Sequence, residues 1–290
     1  MINIKLGVIP TRRDIFSKEE ALKYKELILQ KLATMNITFV DIEDANDEGL
    51  LFDDNDVDKV VDKMIKEKVD ALFFPHCNFG TEYLVAQVAK KMNLPILIWG
   101  PRDESPLGDG SRLRDSQCGL FATGKVLRRF RCKFTYLPMC RLEDQEFYEG
   151  IRRFLATVNI IKELKDLTIL QIATRPSGFW TMMVNEGELL EKFNIKIHPV
   201  TLAEVKDEMD AVEQNKKDEV VQVIDYLKKE TIIEISDEAL VKVAALKVAI
   251  KSIAKRYNCK AAAVQCWNAM QGVLGIFPCA ANALLTDEKF

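Results

Sequence analysis

Apolar runs of strand length alternate with segments of helical period along most of this chain, and that alternation restricts the fold more than any other feature. A strand joined to the next strand through a helix pairs with it in parallel, so the pattern calls for βαβ units on a mostly parallel sheet. The expected order is strand Ile2 to Ile9, a helix from about Lys18, strand Ile37 to Ile42, and a helix through Lys68. Strand Ala71 to Pro75, a helix from about Thr81 to Met92, strand Pro95 to Trp99, a helix from near Leu120 to about Phe130, and strand Lys133 to Leu137 complete a five-strand set. Ser17 and Glu20 have the spacing of a capping box. Five parallel strands fit a flavodoxin-like doubly wound domain.

A long helix, Glu143 to about Leu164, leads out of this first domain, which we place at residues 1–164. The second, 165–290, is expected to hold strand Leu167 to Ile172, a loop from Ala173 to Trp180 and a helix through Phe193. Strand Ile195 to Val200 follows, then a charged helical region opened by Thr201 and Glu204 and running through Lys229. Ser236 caps a helix reaching Tyr257, with Leu240, Val243, Leu246, Ile250 and Ile253 on one face, and strand Ala261 to Cys266 comes last. The fold class is therefore α/β, with two Rossmann-like (flavodoxin-like) parallel-sheet domains. Three strands leave the second sheet with wide open edges, so that domain reads as incomplete.

In such sheets ligands bind beyond the carboxyl ends of the strands, and each strand here is followed by an unusual polar group. Pro10 to Asp14 follows the first strand and His76 to Gly80 the third. The fourth spills into a long loop, Gly100 to Gly119, rich in Gly, Pro, Asp and Arg. Loops of that length are mostly functional, and this one is also an interface candidate. Thr174 to Trp180 and Gln265 to Asn268 are the equivalents in the second domain. Amides and arginines beside Trp and Phe suit a polyhydroxylated ligand, with fixed donors for hydroxyls and flat apolar faces for C–H groups. Polar loops at this end of any such sheet are the competing explanation, about equally weighted for the five together.

Composition removes several function classes. A net charge of -3 provides no basic field for a nucleic-acid backbone or an anionic membrane. No apolar run approaches the roughly 20 residues of a membrane helix, and the first residues lack the pattern of a signal peptide. Seven cysteines without a C-x-x-C pair or a zinc spacing read as reduced thiols, so a cytoplasmic location is expected. With His76 and His198 alone, a histidine-rich metal site is excluded. Both are expected to be structural, although His76 at a strand end could orient a ligand. Gly108-Asp109-Gly110 is too short for a dinucleotide fingerprint, and Cys118 and Cys266 lack an identifiable general base.

Three segments carry a resemblance: 111–130 (SRLRDSQCGLFATGKVLRRF), 175–195 (RPSGFWTMMVNEGELLEKFNI) and 263–288 (AVQCWNAMQGVLGIFPCAANALLTDE). Together they resemble the L-fucose and L-arabinose isomerase family, in particular its fucose-isomerase-like members, over nearly the whole chain. The resemblance implies two Rossmann-like N-terminal domains, aldose-ketose isomerisation of a free sugar through an enediol, a divalent cation (Mn2+), and assembly as a trimer or hexamer. It also implies substrate-side roles for Gln265, as the amide of a Q-x-W motif, and for Trp267 beside it. More loosely, Arg13 corresponds to an arginine after the first strand, Trp99 to an aromatic that a neighbouring subunit contributes, and Met183 to an apolar contact. None is a metal ligand, and Glu82, Asp109 and Glu186 match no catalytic position. In the family the motif runs on into a segment with the metal-binding carboxylates. The metal ligands are therefore expected beyond Phe290, and the 290 residues are expected to be inactive alone. A non-catalytic sugar-binding or assembly module is the alternative, and a nucleotide- or flavin-binding role a distant third.

Overall fold

The computed structural model describes residues 4–290, so Ile2 and Asn3 of the expected first strand lie outside the described residues. The chain divides into two compact units, one ending at Lys162 and the other spanning Glu163–Phe290.

The first unit holds β1 (Leu6–Val8), α1 (Lys18–Thr34), β2 (Phe39–Val40), α2 (Asp56–Lys66), β3 (Ala71–Pro75), α3 (Glu82–Met92), β4 (Ile96–Trp99), α4 (Ser116–Arg129), β5 (Thr135–Tyr136) and most of α5 (Gln145–Leu164). Its sheet is parallel in the order β2-β1-β3-β4-β5, the flavodoxin-like arrangement. Every residue of β3 and β4 is buried, because helices cover both faces of the sheet. Side chains alternate along each strand. Phe73 and Leu97 join a core with Ile28 and Leu32 of α1 and Phe147 and Ile151 of α5. Leu72 and Ile98 point the other way, into a core with α2, α3 and α4.

The edge strands are shorter than the expected Ile37 to Ile42 and Lys133 to Leu137, each being held by one neighbour. The capping boxes are also only half formed. Ser17 Oγ accepts the Glu20 N–H at 3.1 Å, but the Ser17 N–H donates to the Leu113 carbonyl instead of to Glu20. Thr201 Oγ1 likewise accepts the Glu204 N–H, while the Glu204 carboxylate takes the Tyr257 hydroxyl. Helix α4 begins at Ser116, ahead of the expected Leu120. The carboxylate of Asp103 accepts the Ser116 and Gln117 N–H groups at 2.9 and 3.1 Å, a cap supplied from across the loop.

The loop before α4 is braced at its base. Arg114, 1% exposed, donates to Glu104 and to the Pro101 and Arg102 carbonyls, and its guanidinium lies 4.0 Å from the Tyr24 ring centroid. Burial and the hydrogen bond to Glu104 push the Tyr24 hydroxyl pKa up to about 12.

The second unit holds β6 (Thr168–Ile172), a 3-10 turn (Trp180–Met182), α6 (Glu186–Phe193), β7 (Lys196–Val200), α7 (Leu202–Asn215), α8 (Lys217–Glu230), α9 (Asp237–Arg256), β8 (Ala261–Val264), α10 (Ala269–Leu274) and α11 (Cys279–Asp287). The expected charged helical region is two helices separated at Lys216. The sheet is parallel in the order β7-β6-β8. Leu240, Val243, Leu246, Ile250 and Ile253 of α9 pack with Leu170 and Ile172 of β6, the face that the helical spacing marks out.

Close approach of α4 to the loop after β3 sets a steric test. A Cβ at Gly119 would sit 1.7 Å from the Phe79 carbonyl oxygen, whereas one at Gly272 in α10 would meet nothing within 4 Å. Gly119→Ala is expected to lose about 1–3 kcal/mol or more in urea unfolding, and Gly272→Ala to gain about 0.5–1 kcal/mol.

Candidate functional site

Each sheet reverses its strand order once, between β1 and β3 in the first unit and between β6 and β8 in the second. Loops leave such a point in opposite directions and open a crevice beyond the strand ends. The two crevices differ in what fills them.

In the first unit the loops after β1 and β3 bind each other. Asn78 Oδ1 accepts the N–H groups of Arg13 and Gly80 at 2.8 and 3.2 Å, and its amide donates to the carbonyls of Arg13 and Ser17. Thr11 Oγ1 donates to Leu51 O and accepts the Thr81 N–H, while the Thr81 hydroxyl donates to Arg12 O at 2.6 Å. Arg12, 5% exposed, grips Glu48 through Nε and Nη2 and lies 3.7 Å from the Phe52 ring centroid. Burial opposes charge on both partners, but their mutual hydrogen bonds hold Arg12 above and Glu48 below its ordinary pKa. Arg13 pairs with Glu82 and lies 4.6 Å from the Phe79 ring centroid, so it is already engaged within its own unit.

His76 sits inside this network. Its Nδ1–H donates to the Phe79 carbonyl at 2.8 Å, a tautomer assigned from that contact, and burial lowers its pKa to about 4. Trp99 corrects the sequence expectation. An aromatic shared with a neighbouring subunit has to reach the surface, but Trp99 is 0% exposed. Its indole N–H points at Cys140 Sγ, 3.3 Å away, and its ring packs 4.7 Å from that of Phe147. It is the last residue of a strand buried on both faces, so it belongs to the core.

The second crevice is open. A cleft of about 580 Å3 lies beyond the carboxyl ends of β6 and β8. Gln265 enters from the end of β8, Trp267 from the next turn, and Met183 from the 3-10 segment before α6. Three of the five residues expected at a site therefore meet here. The Gln265 N–H donates to Ile172 O, continuing the β8 pairing by one residue, while its side-chain amide has no hydrogen-bond partner among the described residues. Gln271 Nε2 donates to Cys266 O at 2.6 Å and fixes the turn that carries Trp267. The Trp267 and Phe179 rings lie 5.5 Å apart at 52°, and both are exposed. Ala173, at the end of β6, has φ 58, a conformation costly for any residue with a Cβ.

The polar side chains in the cleft are few. Gln171, a polar residue between Leu170 and Ile172 in β6, donates from Nε2 to Ala173 O at 3.2 Å. Arg175 is the one cation lining the cleft and Glu186 the one carboxylate. The Arg175 Nη1 donates to the carbonyls of Pro176 and Ser177, which holds the guanidinium by one corner. Arg175 and Phe179 lie in the loop Thr174 to Trp180 that the sequence marks as ligand-facing but were not singled out there, and Gln171 was missed. The polar break in the strand was the signal for Gln171, and the loop composition for the others. Among the described residues no group of three His, Cys, Asp or Glu side chains could hold a metal ion, and no helix is long and apolar enough to cross a membrane.

Residues 7–165 match the family model described as "Fucose/sulfoquinovose isomerase, N-terminal domain". The chain belongs to this family. Sulfoquinovose isomerases of Priestia aryabhattai and Priestia megaterium are each 22% identical to it over 290 residues, which are 99% of this chain and 62% of the relative. That of Alkalicoccus urumqiensis is 22% identical over 222 residues, 76% of this chain and 48% of the relative. The chain thus spans under two thirds of the length of these relatives. A periplasmic solute-binding protein of an ABC transporter from Actinobacillus succinogenes 130z, solved with bound D-allose, aligns over 74% of this chain and 66% of its own. Its 14% identity and TM-score of 0.25 are too low to bear on function. The family model covers the first unit, while the open cleft lies past its end, in the part reached by the longer alignments to the Priestia enzymes.

The buried His76 gives a pH signature. An unfolded chain binds a proton at this side chain near pH 6.5, while the folded one binds it only at about 4. Between those values the unfolded state holds more protons, so the stability due to His76, complete above 6.5, is lost as pH falls. The expected slope is about 1.4 kcal/mol per pH unit from this group. It should be missing from His76→Gln when urea unfolding is compared across the window.

Proposed function

We propose that this chain is the sugar-holding part of an aldose-ketose isomerase of the fucose/sulfoquinovose isomerase family, and that the cleft beyond β6 and β8 receives the substrate. The observation that carries the proposal is the meeting of Gln265, Trp267 and Met183, from three separate segments, in one open cleft. The free amide of Gln265 offers a donor and an acceptor to neighbouring hydroxyls. Trp267 and Phe179 give a flat wall for the C–H face of a sugar ring or open chain. Met183 closes the apolar side. Arg175 supplies charge for an anionic substituent, in keeping with relatives named for sulfoquinovose, a sulfonated sugar.

Isomerisation through an enediol moves a hydrogen between two adjacent carbons and requires an acid/base group and stabilisation of developing oxygen charge. The residues present do not fit a manganese centre, since Glu186 is the one carboxylate lining the cleft and no three-ligand cluster exists among the described residues. In this proposal manganese and its ligands belong to the part of the relatives that this chain does not span. Residues of this chain bind and orient the sugar. Assembly as a trimer or hexamer and a cytoplasmic location remain parts of the same proposal.

Calorimetric titration with sulfoquinovose, L-fucose and L-arabinose, without metal, tests the cleft. Saturable binding is expected, weakened about tenfold by Gln265→Ala or Trp267→Ala, the loss of one to two hydrogen bonds or of one stacked ring. Arg175→Gln is expected to remove any preference for the sulfonated sugar and leave the neutral ones alone. A version extended to the relatives' full length is expected to convert aldose to ketose with manganese and to stop on chelation. Flat titrations with all three sugars would contradict the proposal. Sugar binding with no turnover by the extended version would favour a sugar-binding module instead.

A further inference from the structure

Between the carboxyl half of α4 and the outer edge of β5, three features coincide that the sugar cleft does not use. The first is charge. Lys125, Arg128, Arg129, Arg131 and Lys133 fall within nine residues without an acid, in a chain of net charge -3. None of the five has a carboxylate within ion-pairing distance among the described residues, although cations elsewhere in the unit, such as Lys63, Lys91 and Arg114, are paired. The second is apolar surface. Phe121 is 60% exposed and Tyr136 41%, and they flank a groove of about 690 Å3 with Leu120 and Phe134 in its lining. The third is a free strand edge. β5 pairs with β4 alone, so its other side presents unpaired backbone donors and acceptors.

These features select among occupants. A second copy docked about a two-fold axis would set five unpaired cations against five more. A head-to-tail copy that offered its acidic run 41–58 would bring carboxylates that are mostly engaged, six of the nine being matched by Lys63, Lys25, Arg12, Lys18, Lys59 and Lys91. A nucleic-acid strand would use the cations and the rings but neither the apolar lining nor the strand edge. We propose that the α4–β5 edge is a docking surface for an acidic, extended peptide segment of another protein. The segment adds a strand beside β5, seats an apolar side chain between Phe121, Phe134 and Tyr136, and sets its carboxylates against Lys125, Arg128 and Arg129.

The probe is a fluorescein-labelled synthetic peptide of about ten residues, Glu alternating with Val and one central Phe, titrated with the 290-residue chain and followed by anisotropy. Binding is expected, absent for the same peptide with Lys in place of Glu and weakening as salt is raised. The double variant Arg128→Glu/Arg129→Glu is expected to lose about tenfold or more in affinity. Phe121→Ser, at an exposed position, is expected to weaken binding without changing its salt dependence; urea unfolding of each variant verifies the fold. Any one of three results overturns the proposal. These are no binding of the acidic peptide, tighter binding of an oligouridylate than of the peptide, and self-association of the chain in sedimentation that the double variant abolishes.

Discussion

Parallel pairing of β6 with both β7 and β8 is the constraint on which the site depends. A parallel partner can be reached only by a crossover, so the chain leaves the end of β6 toward α6 and β7, and returns through α7, α8 and α9 to place β8 on the other side. The loops after β6 and β8 therefore diverge. Between them remains a space that neither helix layer fills, and the ends of two strands present Gln171, Ala173 and Gln265 to it. Had β8 joined beyond β7, Gln265 and Trp267 would lie at an edge, two strands from the Thr174 to Val184 segment that now faces them.

The same topology in the first unit leads to a different outcome. There the switch point between β1 and β3 is bound shut by Thr11, Asn78 and Thr81, with Arg12 locked on Glu48. Every polar group in that list meets a partner inside the unit, so the network specifies how two loops pack. In the second unit the Gln265 amide meets none among the described residues, and four large apolar side chains around it, Phe179, Met182, Met183 and Trp267, are exposed. An unengaged amide beside exposed aromatics distinguishes a ligand site from a satisfied loop junction.

The strands were legible because buried parallel strands read as continuous apolar runs, and ALFFP and ILIW admit little else. Their number and order followed from the helices between them. The cleft residues Gln265, Trp267 and Met183 came from motif resemblance, which carries position without geometry. Other features were hidden because their causes lie far along the chain. The cap of α4 comes from Asp103, so no local signal marks Ser116 as its start. The Ser17 N–H is taken by Leu113, which halves the capping box. Trp99 was assigned to a subunit contact by resemblance, yet its burial is set by α5, whose Phe147 packs on its ring from a distance in sequence that no local pattern reveals. Arg13 came from the resemblance alone, which could not reveal its pairing with Glu82 on α3.

The three tryptophans allow a direct test of the central claim, that the open cleft of the second unit is where sugar binds. Their indole N–H signals can be followed by 15N–1H correlation spectroscopy as a sulfonated hexose is titrated into the labelled chain. The Trp267 signal, assigned by Trp267→Phe, is expected to move in a saturable way while that of buried Trp99 stays in place. A titration that shifts Trp99 and leaves Trp267 unmoved, or shifts neither, would contradict that claim.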